Sequence, residues 1–125
     1  MKSRTHQVIE KDFSTYKDKV LGILLYGSKA SGTHHERSDT DICLVAGDYD
    51  GDLLFKELIT SNLTAKYDVK IFETLPLKIK GSILDNHKVI YSRDKPELSY
   101  YLHKWRDIWE DQERSLRKLG LEMYS

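Results

Sequence analysis

Apolar residues recur along this chain with two different periods, and the switches between them divide it into elements. In residues 6–20, HQVIEKDFSTYKDKV, Ile9, Phe13, Tyr16 and Val20 fall at steps of four, three and four, the face of an amphipathic helix. LGILLYG, 21–27, is a short apolar run ending in glycine and reads as a buried strand, with TDICLVA, 40–46, as a second. The cluster GDYDGD, 47–52, marks a turn, and 53–67 then reads as helical. YDVKIFE, 67–73, alternates as a third strand with Val69 and Ile71 facing inward. Pro76 opens a short helix, PLKIKGSILDN, and KVIYS, 88–92, is a fourth strand. After Pro96 the pattern Leu98, Leu102, Trp105, Trp109, Gln112, Leu116, Leu119 alternates steps of four and three until Gly120 stops it. Tyr101 and Ile108 widen that stripe. The order α-β-β-α-β-α-β-α predicts an α/β (α+β) fold, a small mixed sheet of about four strands flanked by helices, with a long C-terminal helix.

At 125 residues the chain is expected to be one domain, 1–125, with a core over about 5–92 and the C-terminal helix over about 96–119. Twenty basic and twenty acidic residues balance to zero formal charge, which argues against holding long nucleic acid by its phosphates. A small nucleotide or another protein suits a neutral chain better. Cys43, the single cysteine, lies in an apolar run and reads as a buried, inert thiol. No run approaches the roughly 18 apolar residues of a spanning helix, and no secretory leader is visible, so a cytoplasmic location is the expectation.

Asp39 and Asp41 begin the second strand one residue apart. Side chains alternate on a strand, so the two carboxylates share a face, roughly 7 Å apart. They repel unless a cation lies between them, and Mg²⁺ is ordinarily held by one or two carboxylates plus substrate phosphates. The bland alternative is one turn-capping and one solvated aspartate. Gly27 and Ser28, directly after an apolar strand, favour the first reading: a tight turn there aims backbone N–H groups and a hydroxyl at an anion. Lys29 either adds charge or is solvated. The turn is neither a Walker loop nor a dinucleotide fingerprint. Asp68, opening the third strand, is the candidate third carboxylate of a two-metal site, against a residue satisfied by local backbone. Asp48, Asp50 and Asp52 lack the distal glutamate of a calcium loop and read as a solvated turn.

Gly27-Ser28, ten residues, then Asp39-x-Asp41 resembles the G-S-x10-D-x-D signature of the DNA polymerase beta-like nucleotidyltransferase superfamily. The resemblance covers about residues 5–92 and extends to the minimal nucleotidyltransferases, or MNT proteins. It implies a nucleotidyltransferase-like fold. Asp39 and Asp41 would bind Mg²⁺, and Asp68 would complete the site and assist the acceptor hydroxyl. Gly27 and Ser28, with Lys29 and Ser38, would hold the triphosphate of an NTP, ATP in the first instance. The implied reaction is in-line transfer of a nucleoside monophosphate with loss of pyrophosphate. Many minimal members resemble antitoxins that attach AMP to a tyrosine of a HEPN-type toxin. The turn here reads GSKASG, with Ser31 where such proteins often carry arginine and Lys29 and Arg37 as the nearby cations. Two readings follow from the resemblance: an enzyme transferring AMP from ATP to a protein hydroxyl, or a steric antitoxin with a vestigial nucleotide site.

Trp105 and Trp109 read as core packing against the sheet. A helix of about 22 residues is about 33 Å long, more than a four-stranded sheet needs for cover. Its far half, from about Trp109 to Leu119, is expected to project an apolar strip for a toxin or a homodimer. Lys78 and Lys80 read as amphipathic packing with solvated tips, a reach to a triphosphate being the alternative. His34 and His35 read as exposed loop residues near a bound nucleotide, while His6, His87 and His103 suggest no partner in sequence.

Overall fold

The structure, a computed structural model, describes residues 4–27 and 40–120. In chain order they form α1 (Arg4–Asp12), a 3-10 helix (Ser14–Lys19), β1 (Gly22–Tyr26), β2 (Thr40–Val45), α2 (Gly51–Ile59), α3 (Leu63–Lys66) and β3 (Tyr67–Ile71). A 3-10 turn (Phe72–Thr74), α4 (Leu77–Asp85), β4 (His87–Ser92) and α5 (Lys95–Lys118) complete the fold. The strands make one mixed sheet in the order β3-β2-β1-β4. β1 lies antiparallel to both β2 and β4, while β2 and β3 run parallel.

Both faces of the sheet are covered. Ile23, Leu25, Ile42, Leu44 and Ile71 turn to one side, where Ile9 and Phe13 of the N-terminal segment and Leu54 and Leu58 of α2 close over them. Leu24, Cys43 and Val45 turn to the other, beneath Ile83 and Leu84 of α4 and Leu98 and Leu102 of α5. Alternation along β1 and β2 thus feeds two cores at once, and each fully buried large side chain contributes about 1.5–3 kcal/mol. Cys43 belongs to the second core, and burial pushes its thiol pKa up, as an inert thiol requires.

The helical expectation for residues 6–20 needs correction: α1 ends at Asp12, and the chain continues as a 3-10 helix. Ser14 and Thr15 favour the break, because their side chains are poor helix formers, yet Phe13, Tyr16 and Val20 all stay buried. The expected helix over 53–67 also divides. The Thr60 hydroxyl donates to the Glu57 carbonyl at 2.8 Å and the Ser61 hydroxyl to Leu58 at 2.6 Å, ending α2. At its other end Asp50 accepts from the Asp52 N–H at 2.9 Å, so one aspartate of the GDYDGD turn is a helix cap.

Asp94 caps α5 in the same way, accepting from the Glu97 N–H at 2.9 Å, with Pro96 in the first turn. Trp109 is buried against α4, where Gly81 receives its indole; a Cβ at residue 81 would overlap the ring. Trp105 meets Phe72 edge-on at 6.1 Å. Of the strip expected from Trp109 to Leu119, Trp109 is buried, Leu116 is half-buried, and Leu119, with the polar Gln112, is exposed. Lys80 departs from expectation altogether. It is only 7% exposed, with its ammonium 4.0 Å from the centroid of the Trp105 ring. Burial lowers its pKa, and the nearby Glu73 carboxylate partly restores it.

Candidate active site

The candidate chemistry sits at the end of the sheet where β1 stops and β2 and β3 begin. Parallel pairing sets Asp41 of β2 directly opposite Asp68 of β3. Antiparallel pairing sets Asp41 opposite Tyr26 of β1, and Tyr26 in turn lies opposite His87 of β4. Register partners share a face, so Asp68, Asp41, Tyr26 and His87 form one row across all four strands, on the side covered by α4 and α5. Directly opposed like charges destabilise a sheet. Lys70 beside Asp68 offsets part of that cost.

Gly27 shapes the row. It follows Tyr26 with φ +77°, a left-handed conformation that glycine adopts freely, and turns the chain sharply out of β1. A Cβ built on it would overlap the Asp41 carboxylate. Glycine here therefore serves both the turn and the close approach of a carboxylate to the backbone.

Lys70, two residues along β3 and on the same face as Asp68, places its ammonium 3.4 Å from the Asp68 carboxylate. Two half-open carboxylates on neighbouring strands are the share of ligands that Mg²⁺ ordinarily takes from protein, the rest being phosphate and water oxygens. The absent Cβ at Gly27 leaves the Asp41 carboxylate the room to serve as one of them. Among the described residues no group of three or more His, Cys, Asp or Glu gathers in the manner of a structural metal site.

Of the residues expected to carry chemistry, the fold brings Gly27, Asp41 and Asp68 together. Asp39, Ser28, Lys29 and Ser38 lie outside the described residues, as do Ser31, His34, His35 and Arg37. Two histidines without evident partners in sequence have them in space. The Nδ1 of His87 is 2.9 Å from the Ile83 carbonyl oxygen, and His103 faces Asp107 at 3.7 Å.

Two polar residues that sequence reasoning missed matter here. Glu73 accepts from the Ala46 N–H at 2.9 Å, from the Gly47 N–H at 3.0 Å and from the Tyr101 hydroxyl at 2.8 Å. It thereby ties the exit of β2 to α5. Tyr26 is the other; its hydroxyl is buried with no hydrogen-bond partner among the described residues. Burial first, and then the Asp41 carboxylate, raise the pKa of that phenol. Its place on the last residue of an apolar strand, directly before the glycine turn, was the available signal.

With this geometry in view, similarity to known proteins becomes informative. Residues 7–96 match the family described as Polymerase beta, Nucleotidyltransferase. The chain is 51% identical over 100 residues to the protein named "Putative protein adenylyltransferase MJ1547" of Methanocaldococcus jannaschii, covering 80% of this chain and 78% of that protein. Its fold is similar to that of a chain from a toxin–antitoxin crystallised with AMP-PNP, with TM-score 0.70, 19% identity, and coverage of 91% of this chain and 94% of that one. It is likewise similar to a chain from the tri-AMPylated Shewanella oneidensis HEPN toxin in complex with MNT antitoxin, with TM-score 0.63, 16% identity and coverage of 91% and 94%. Among the described residues no helix is long and apolar enough to cross a membrane. The matched segment contains both strands that carry the opposed aspartates and the glycine turn beside them, and the chain belongs to the polymerase beta nucleotidyltransferase family.

Proposed function

We propose that this nucleotidyltransferase transfers AMP from Mg²⁺-bound ATP to a hydroxyl of a partner protein, a tyrosine of a HEPN-type toxin, and so acts in the cytoplasm as that toxin's antitoxin. The observation that carries the chemistry is the register pairing of Asp41 with Asp68 beside the left-handed Gly27. The relative at 51% identity, named as a protein adenylyltransferase, supports a protein acceptor. The fold shared with chains of toxin–antitoxin complexes supports a toxin as that partner.

In this reading Asp41 and Asp68, with Asp39, hold the ion, and the turn at Gly27 and Ser28, with Lys29 and Ser38, holds the triphosphate. When bound, Mg²⁺ supplies charge neutralisation on the phosphates. Asp68 also accepts the proton of the acceptor hydroxyl. The hydroxyl oxygen forms a bond to the α-phosphorus while the bond from that phosphorus to the bridging oxygen breaks, and pyrophosphate leaves with the electron pair. Positioning and charge do most of the work in such a transfer, so a few carboxylates and a turn suffice.

The test is transfer of labelled AMP to a co-encoded HEPN-type protein, with wild type, Asp41→Asn and Asp68→Asn. Loss of roughly 100-fold or more in both variants, with the complex still formed, is the expected outcome. Neutralisation of the toxin by both variants without any transfer would instead make the protein a steric antitoxin.

A further inference from the structure

Tyr26 has an oxygen that the fold does not use. Its ring packs against the core beneath α4 and α5, a role that phenylalanine would fill equally well. The hydroxyl itself is shielded from solvent and lacks a hydrogen-bond partner among the described residues. An orphaned buried hydroxyl costs about 1–3 kcal/mol, so its presence calls for a partner that arrives later.

The row points to where that partner comes from. Tyr26 is the direct cross-strand neighbour of Asp41, and Asp68 is the next residue along. On its other side His87 is already engaged with the Ile83 carbonyl. Burial first, and then the charges of Asp41, Cys43 and Asp68, raise the pKa of the phenol. A tyrosine side chain is longer than an aspartate's, so on one face of neighbouring strands its hydroxyl stands farther from the sheet than the Asp41 carboxylate does.

We propose that Tyr26 is a binding residue of the nucleotide site: its hydroxyl donates a hydrogen bond to an oxygen of the magnesium–triphosphate group held by Asp41 and Asp68, a phosphate oxygen or an ion-bound water. The inference rests on the proposed function and adds a neutral donor from β1 to a site otherwise made of carboxylates and a turn. A neutral donor there adds no charge to a face where Lys70 already lies 3.4 Å from the Asp68 carboxylate.

Calorimetric titration of ATP in the presence of Mg²⁺ tests it on the full chain, with wild type, Tyr26→Phe and Asp41→Asn, alongside thermal unfolding without ligand. Tyr26→Phe is expected to weaken MgATP binding about tenfold and to raise the Mg²⁺ concentration for half-maximal ATP binding. Its unliganded thermal midpoint is expected to be unchanged or slightly raised, since an orphan is removed. Wild-type affinity in Tyr26→Phe, with Asp41→Asn unable to bind, overturns the inference and leaves the site intact. A lowered midpoint accompanying weaker binding also overturns it, because the hydroxyl would then be structural. Unaltered binding in Asp41→Asn locates the failure in the site itself, and the role of Tyr26 falls with it.

Discussion

Glu73, beyond the C-terminal end of β2, and Asp41 with Asp68, at its opposite end, are carboxylates put to contrasting use. Glu73 meets two backbone N–H groups and a tyrosine hydroxyl, all within 3.0 Å. Three donors on one carboxylate match its charge within the protein, and it clamps the turn after β2 to α5. The Asp41–Asp68 pair instead sets like charges on adjacent strands, with Lys70 as a cation beside Asp68 at 3.4 Å. Glu73 holds the fold together; under the proposed function Asp41 and Asp68 hold what is bound.

Removing each acid should therefore have opposite signatures. Glu73→Ala is expected to cost about 3 kcal/mol of stability, since it strands two backbone donors and a phenol together. Denaturant unfolding measures that loss, and MgATP affinity should be retained at temperatures where the variant is folded. Equal loss of nucleotide affinity in the still-folded variant would erase the contrast between the two ends.

Tyr101→Phe sharpens the same comparison with a smaller effect of about 1 kcal/mol near neutral pH, one hydrogen bond's worth. It carries a pH signature. Burial, and then the bond to Glu73, push the Tyr101 phenol from 10.0 up to about 12 in the folded protein. A group whose folded pKa is raised contributes stability that is full below its unfolded pKa and lost as pH rises through its folded one. The stabilising effect of Tyr101 should thus be complete below pH 10 and fade between 10 and about 12. Stability against pH in that window should fall less steeply in Tyr101→Phe, and an identical slope would contradict the burial of this phenol.

Periodicity alone was enough for the strands and the long helix, because two-sided burial of β1 and β2 leaves near-continuous apolar runs such as GILLY and DICLV. It failed where side chains compete with backbone. The end of α2 is set by the Thr60 and Ser61 hydroxyls, and α1 stops just before the poor helix formers Ser14 and Thr15, which the spacing of Ile9, Phe13 and Tyr16 does not reveal. Of the candidate site, Gly27, Asp41 and Asp68 were visible as a motif. Their opposition was not, since register between distant strands is a tertiary fact. The same holds for Tyr26, which reads as one more apolar residue until β1 is laid beside β2. Lys80 was misjudged because an amphipathic pattern cannot show that Trp105 will cover its ammonium.

Under the proposed function the Asp41 end of the sheet binds a magnesium–triphosphate. The most direct test is ATP binding by calorimetry, with and without Mg²⁺, on wild type and Asp41→Asn. Wild type should bind ATP only with Mg²⁺, and Asp41→Asn should lose that binding. Binding that is indifferent to both the ion and the substitution would contradict it.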